Sequence, residues 1–224
     1  MATRKTLTLT LTDGRTCRAT DISGGDGGFA ILLPGLNYSC RDPLLAGVSG
    51  ALQQRGYRVW EVAFSYNDGL SFKALSDDAR IAAIERDGRA ILKRVLEEVG
   101  RPLVLVGKSL GTVSLGAMVG ALPEKTRLIW LTPSLTGTRL LQRMRACSHE
   151  GLSVIGSEDV STTITRGADY RSIAPLAHVE VPGMDHGWHH EGGEMATRKG
   201  LFTALAVIGN WLDALAQLDK TRPV

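Results

Sequence analysis

A chain of 224 residues with 43% hydrophobic and 22% charged side chains is long enough to bury a core and has a globular composition, which excludes a disordered chain. Its net charge of +3 comes from scattered lysines and arginines without interleaved aromatics, so a nucleic-acid-binding surface is not expected. The three cysteines, Cys17, Cys40 and Cys147, show no metal-ligand spacing and form an odd set, which points to reduced thiols and a cytoplasmic location. No apolar h-region follows the charged start and no run approaches transmembrane length, so neither a secretory signal nor a membrane partner is expected.

Residues 5–12 alternate strictly, with Leu7, Leu9 and Leu11 on one face and threonines on the other, which predicts a half-buried strand. Asp13-Gly14 marks a hairpin turn into a return strand at Thr16–Ile22. The stretch SGGDGG at 23–28 lacks both a following helix N-terminus and a Lys-Ser/Thr partner, so it reads as a turn rather than a phosphate cradle. Residues 29–33 are fully apolar, as in a strand buried on both faces. A helix is predicted over 42–55, with Asp42 as N-cap, Pro43 in the first turn and Gly56 as the stop. A strand at 57–64 and a loop at 67–69 follow. A long helix over 76–100 carries Ile81, Ile84, Ile91, Val95 and Val99 at helical spacing, and Gly88 inside it marks a weak point or a break.

The stretch 103–111, LVLVGKSLG, is the centre of the chain: an apolar strand runs into Gly107-Lys108-Ser109-Leu110-Gly111 and then into a small-residue helix over 112–122. A tight strand-to-helix turn projects the weakly nucleophilic Ser109 hydroxyl, and flanking glycines avoid collisions with the neighbouring strand and helix. The following helix points its first amides at the place where negative charge would develop. The rest reads as a strand at 127–131, a short helix at 137–147, a strand at 152–156, the end of a short helix near 170–174, a strand at 178–181, a helix over 201–218 and a tail. The pentapeptide MATRK occurs at 1–5, entering a strand, and again at 195–199, entering a helix.

Strands alternating with helices after an initial hairpin predict one α/β domain spanning 1–224, with a mostly parallel sheet and helices on both faces. Ligands collect at the carboxyl ends of such strands. The polar groups there are Asn37 after the third strand, Ser109, then Glu158 and Asp159, then Asp185 and His186, with His189 and His190 close behind. A serine, an acid and a histidine therefore follow in the order of the strand-elbow-helix type of catalytic triad. The Asp-His-Gly turn favours His186 over its neighbours, Asp185 reads as a turn former, and Glu158 and Asp159 both remain candidates for the acid.

With PGL-N after the first buried strand, the GKSLG elbow, GSED and PGMDHGW, nearly the whole chain resembles the α/β-hydrolase family. The resemblance implies Ser109 as nucleophile, Asp159 as orienting acid and His186 as base, with the backbone amides of Leu36 and Leu110 as the oxyanion hole. Pro34-Gly35 stands where the family often has His-Gly, and no insertion after Leu131 is long enough for a substantial lid. Asn37, Tyr38, Lys108 and Trp188 are candidate pocket residues. Lys108 either tunes the site's electrostatics, recognises an acidic substrate, or simply packs. The leading expectation is a serine hydrolase acting on a small-molecule ester or thioester, with no metal and no organic cofactor. An inactive binding protein of the same fold, or a serine peptidase or acyltransferase, is the alternative.

Overall fold

In each central strand, successive side chains fall alternately into two apolar layers, and the two layers take different helices. The computed structural model describes residues 2–11, 14–64, 66, 70–97, 102–136 and 139–221. Among these, strands β1 (Arg4–Thr10), β2 (Thr16–Ile22), β3 (Gly28–Leu33), β4 (Tyr57–Ala63), β5 (Leu103–Lys108), β6 (Arg127–Leu131), β7 (Gly151–Gly156) and β8 (Leu176–Val181) form one sheet in the order β1-β2-β4-β3-β5-β6-β7-β8. The β1–β2 and β2–β4 pairs are antiparallel, and every pair from β4 through β8 is parallel. Helices α1 (Pro43–Gln54), α2 (Leu70–Lys73), α3 (Asp77–Leu96), α4 (Leu110–Gly116), α5 (Leu140–Arg145), α6 (Thr162–Thr165), α7 (Ala168–Arg171) and α8 (Glu194–Thr221) complete the regular elements, with a 3-10 turn at Val119–Ala121.

Phe29, Ile31, Leu33, Leu105, Leu128 and Trp130 face a layer closed by α3, α4 and α5. Ala30, Leu32, Val104, Val106, Ile129 and Leu131 face the layer closed by α1 and α8. Each fully buried large side chain contributes about 1.5–3 kcal/mol. The hydrophobic runs of β3, β5 and β6 are therefore the thermodynamic centre of the fold, and the carboxyl ends of β3, β5, β7 and β8 carry the loops of the candidate site.

Several boundaries differ from the sequence reading. Helix α4 begins at Leu110 rather than residue 112, because Ser109 itself is the cap residue. Helix α8 begins seven residues before the apolar stripe, at Glu194, whose carboxylate pairs with Arg198 one turn on. By length and composition alone this helix is long and apolar enough to cross a membrane, contrary to the expectation that no run approaches that length. Gly200, Ala204, Ile208, Gly209, Leu212 and Leu215 are its buried residues, and Leu205 lies against Gly47 of α1. The four-residue helices α2 and α6 had no signal in the sequence, and α7 lies earlier than the predicted segment at 170–174.

Gly88 is not a break. Helix α3 runs through it, and a Cβ there would stand 2.5 Å from the Ser114 hydroxyl oxygen and 2.7 Å from its carbonyl. The glycine lets α3 approach α4. Asp42 is the N-cap residue of α1, but its carboxylate accepts from the Ser39 amide and hydroxyl instead of capping the helix. The expected loop at 67–69, the helix end at 98–100, the helix start at 137–138, the turn residue Asp13 and the end of the tail lie outside the described residues.

Candidate active site

The strand alternation of β5 sets the first part of the site. Val104 and Val106 face the α1/α8 layer, so Lys108 is directed to that side, while Gly107 faces α4. A Cβ on Gly107 would meet the Gly111 carbonyl oxygen at 2.7 Å, and one on Gly111 would meet the Leu33 carbonyl oxygen at 1.9 Å. Both glycines are thus required by close backbone approach, and Ser109 between them stands at φ 52°, ψ −122°. That conformation costs a non-glycine residue about 1–3 kcal/mol. It is held by the Ser109 amide donating to Leu131 O at 3.0 Å, and by the Thr112 amide and hydroxyl donating to Ser109 O at 2.8 and 2.5 Å.

The acid follows β7. Gly156 admits the neighbouring loop, since a Cβ there would overlap the Met184 carbonyl oxygen at 1.9 Å. The chain then turns, with the Asp159 amide donating to Gly156 O. Asp159 is buried, whereas Glu158 is exposed and its carboxylate accepts from the Ser157 hydroxyl. One Asp159 oxygen, Oδ1, accepts from the Ser161 amide at 2.8 Å; the other, Oδ2, lies 2.7 Å from His186 Nδ1.

The histidine follows β8 on a loop closed by Asp185. The Asp185 amide donates to His189 O, its carboxylate accepts from the His189 amide at 2.7 Å, and its carbonyl accepts from the Trp188 amide. Asp185 is therefore the turn former, and His186 Nε2 is delivered 2.7 Å from Ser109 Oγ. Because Asp159 Oδ2 can only accept, the proton is assigned to Nδ1, which leaves the Nε2 lone pair free to accept the serine proton.

The loop after β3 comes against the serine. A Cβ on Gly35 would stand 2.8 Å from Ser109 Cβ and 3.4 Å from its Oγ. Asn37 holds a left-handed φ of 54°, a conformation that asparagine tolerates. Leu36 beyond Gly35, and Leu110 at the start of α4, pack their side chains against Tyr66, Phe72, Ile84 and Val113. As the first residue of α4, Leu110 has an amide with no acceptor in its own helix.

The other candidate residues have distinct surroundings. The Tyr38 hydroxyl accepts from the Leu44 amide at 3.3 Å, and burial pushes its pKa up to about 12. Trp188, at φ 70° and 3% exposed, packs in the α1/α8 layer rather than against the cleft beside Gly35. Lys108 is 2% exposed; its ammonium donates to His186 O at 2.9 Å and lies 4.2 Å from the centre of the Tyr38 ring. Burial pushes its pKa down to about 8, against the opposing pull of the Asp159, Asp185 and Asp42 carboxylates. Burial also raises the Cys40 thiol far above its usual range, so Cys40 is no thiolate nucleophile. A cleft of about 370 Å³ beside Gly35 is walled by Tyr38, Phe64 and Tyr66, with Arg41 and Glu61 as its charged side chains. The wall from Phe64 and Tyr66, whose rings stack with centres 4.8 Å apart just beyond β4, had no motif in the sequence. Among the described residues, no group of three or more His, Cys, Asp or Glu side chains is placed to hold a metal ion.

A mostly parallel eight-stranded sheet with an antiparallel hairpin at its N-terminal edge and helices on both faces defines a class of fold. Solved structures share it over nearly the whole chain. An esterase domain from Rhodothermus marinus aligns with 93% of this chain and 97% of its own at 17% identity and a TM-score of 0.69. A dienelactone hydrolase from Anabaena variabilis aligns over 95% and 98% at 12% identity and a TM-score of 0.71. An esterase from Pyrococcus furiosus aligns over 95% and 93% at 14% identity and a TM-score of 0.65. The chain has the α/β-hydrolase fold. No protein-family model and no curated protein matches the sequence.

Proposed function

We propose that the protein is a serine hydrolase that cleaves a carboxylic ester or thioester of a small molecule through an acyl-enzyme. The observation that carries this reading is the unbroken chain from Ser109 Oγ to His186 Nε2 at 2.7 Å and from His186 Nδ1 to Asp159 Oδ2 at 2.7 Å. The fold it shares with esterases and a dienelactone hydrolase supports it.

His186 Nε2 takes the hydroxyl proton as Ser109 Oγ attacks the substrate carbonyl. The carbonyl oxygen becomes an oxyanion that accepts from the amides of Leu36 and Leu110. Asp159 keeps the imidazole in its tautomer and stabilises the imidazolium, and the Ser161 amide fixes the carboxylate from behind. Collapse breaks the bond to the leaving alcohol or thiol, which departs with the proton from Nε2. Water then loses a proton to Nε2, attacks the acyl carbon, and regenerates Ser109 with release of the carboxylic acid.

Hydrolysis of a short-chain p-nitrophenyl ester tests the reading. Ser109→Ala lowers kcat by ~10⁴-fold or more while the fold is retained. Full activity in that variant overturns the assignment.

A further inference from the structure

Lys108 lies inside the elbow, yet none of the chemical steps above uses it. It occupies the place in the alternation of β5 where an apolar side chain would follow Val104 and Val106. A lysine so placed must lose its water, and a desolvated ammonium needs compensating partners. Two are present: the carbonyl of His186, at 2.9 Å, and the face of the Tyr38 ring, at 4.2 Å. These belong to different loops. His186 is on the loop after β8, while Tyr38 is three residues beyond Gly35 on the loop that abuts the serine. The backbone of Lys108 also shapes the turn, since a Cβ on Gly35 would come within 3.1 Å of its carbonyl oxygen.

We infer that Lys108 is a positioning residue, whose buried ammonium fastens the His186 loop and the Gly35–Tyr38 loop to the elbow so that nucleophile, base and oxyanion donors keep one geometry. This deepens the reading of the site as a serine hydrolase and rests on it. A carbonyl and a ring face are the two kinds of partner that one cation can join at once, through a charge-assisted hydrogen bond and a cation–π contact. A neutral side chain of equal length would fill the slot without making either contact. The ammonium acts on the main chain of residue 186 and not on its ring, so its removal shifts the imidazole relative to Ser109 Oγ. It does not remove a group that touches substrate.

The test compares wild type with Lys108→Met and Lys108→Ala, using a p-nitrophenyl ester and a fluorophosphonate probe. Lys108→Met lowers kcat and the labelling rate by about ten- to a hundredfold, the effect of a small misplacement of catalytic groups, and leaves KM within roughly threefold. The downfield Nδ1 proton resonance of His186 shifts or broadens in the same variant. In Lys108→Ala, ethylammonium restores part of the activity saturably and ethanol does not, because a cation and not mere volume is needed. Near-ultraviolet circular dichroism of both variants establishes that they are folded, and the rescue arm reads the ammonium's role even if Lys108→Met folds poorly. Unchanged kcat in a folded Lys108→Met, or equal rescue by ethanol, overturns the inference while leaving the serine hydrolase reading intact. A wild type that neither labels nor hydrolyses overturns that reading, and the inference with it.

Discussion

A methyl group on Gly35 would stand 2.8 Å from Ser109 Cβ, so the loop after β3 touches the nucleophile itself. Gly35→Ala must therefore push the loop or the serine by several tenths of an ångström. The expected outcome is a loss of kcat of about a hundredfold with a folded protein, measured by ester hydrolysis beside a thermal melt. A variant with wild-type kcat would show that the loop has no part in the site.

Asp159 and Glu158 are adjacent in sequence but only Asp159 reaches the imidazole. Asp159→Asn puts the wrong tautomer on His186 and lowers kcat by ~10⁴-fold, whereas Glu158→Gln, whose exposed carboxylate contacts the Ser157 hydroxyl, changes it less than about twofold. Steady-state kinetics of the two variants side by side separate the roles. Equal losses would contradict the geometry.

Gly88→Ala is a packing test away from the site. In an exposed helix the change stabilises by about 0.5–1 kcal/mol. Here the new methyl meets the Ser114 hydroxyl oxygen at 2.5 Å and carbonyl oxygen at 2.7 Å, and overpacking of that kind costs about 1–3 kcal/mol. Urea denaturation should show a net loss, and a gain would mean that α3 and α4 separate freely.

The buried Asp87 carboxylate, at 0% exposure, accepts from the Arg15 guanidinium and from the Tyr66 hydroxyl at 3.0 Å. Asp87→Ala leaves the Tyr66 hydroxyl buried without this partner, at a cost of about 1–3 kcal/mol. Arg15 is 42% exposed on its side chain, so its share is discounted for solvent. In a chain of this size the melting temperature should fall by about 2–10 °C, read by calorimetry.

Stability should respond to pH through Lys108. Its pKa falls from the ordinary 10.5 to about 8 in the fold, because burial outweighs the opposing, pKa-raising pull of the Asp159, Asp185 and Asp42 carboxylates. Between those two values the unfolded chain binds more protons than the folded one, so stability rises with pH across that window and is flat below it. The difference in unfolding free energy between wild type and Lys108→Met should therefore move in favour of wild type, by on the order of 3 kcal/mol, from pH 7.5 to 10.5. A pH-independent difference would contradict the burial of the charged amine.

Local alternation and turn chemistry made the central strands, the glycines of the elbow and the order serine, acid, histidine legible from the residues alone. Each depends on a few neighbours in the chain. The choice of Asp159 over Glu158 came from the resemblance to the α/β-hydrolase family. What stayed hidden depends on partners far away. Gly88 looks like a helix breaker until Ser114 is beside it, and the Lys108 contacts need two loops that the sequence separates by about 150 residues. Helices α2 and α6, four residues each, are too short to show a period. The repeated MATRK makes the same point directly: Arg4 and Lys5 lie in β1, while Arg198 and Lys199 lie in α8, so tertiary context decides between strand and helix for identical residues.

Mass spectrometry of the protein after fluorophosphonate treatment tests the chemistry most directly. Wild type should gain one phosphonyl group, on the peptide containing Ser109, at a rate that drops sharply in Asp159→Asn, and Ser109→Ala should gain none. No adduct on wild type, or an adduct on a residue other than Ser109, would contradict the serine hydrolase mechanism.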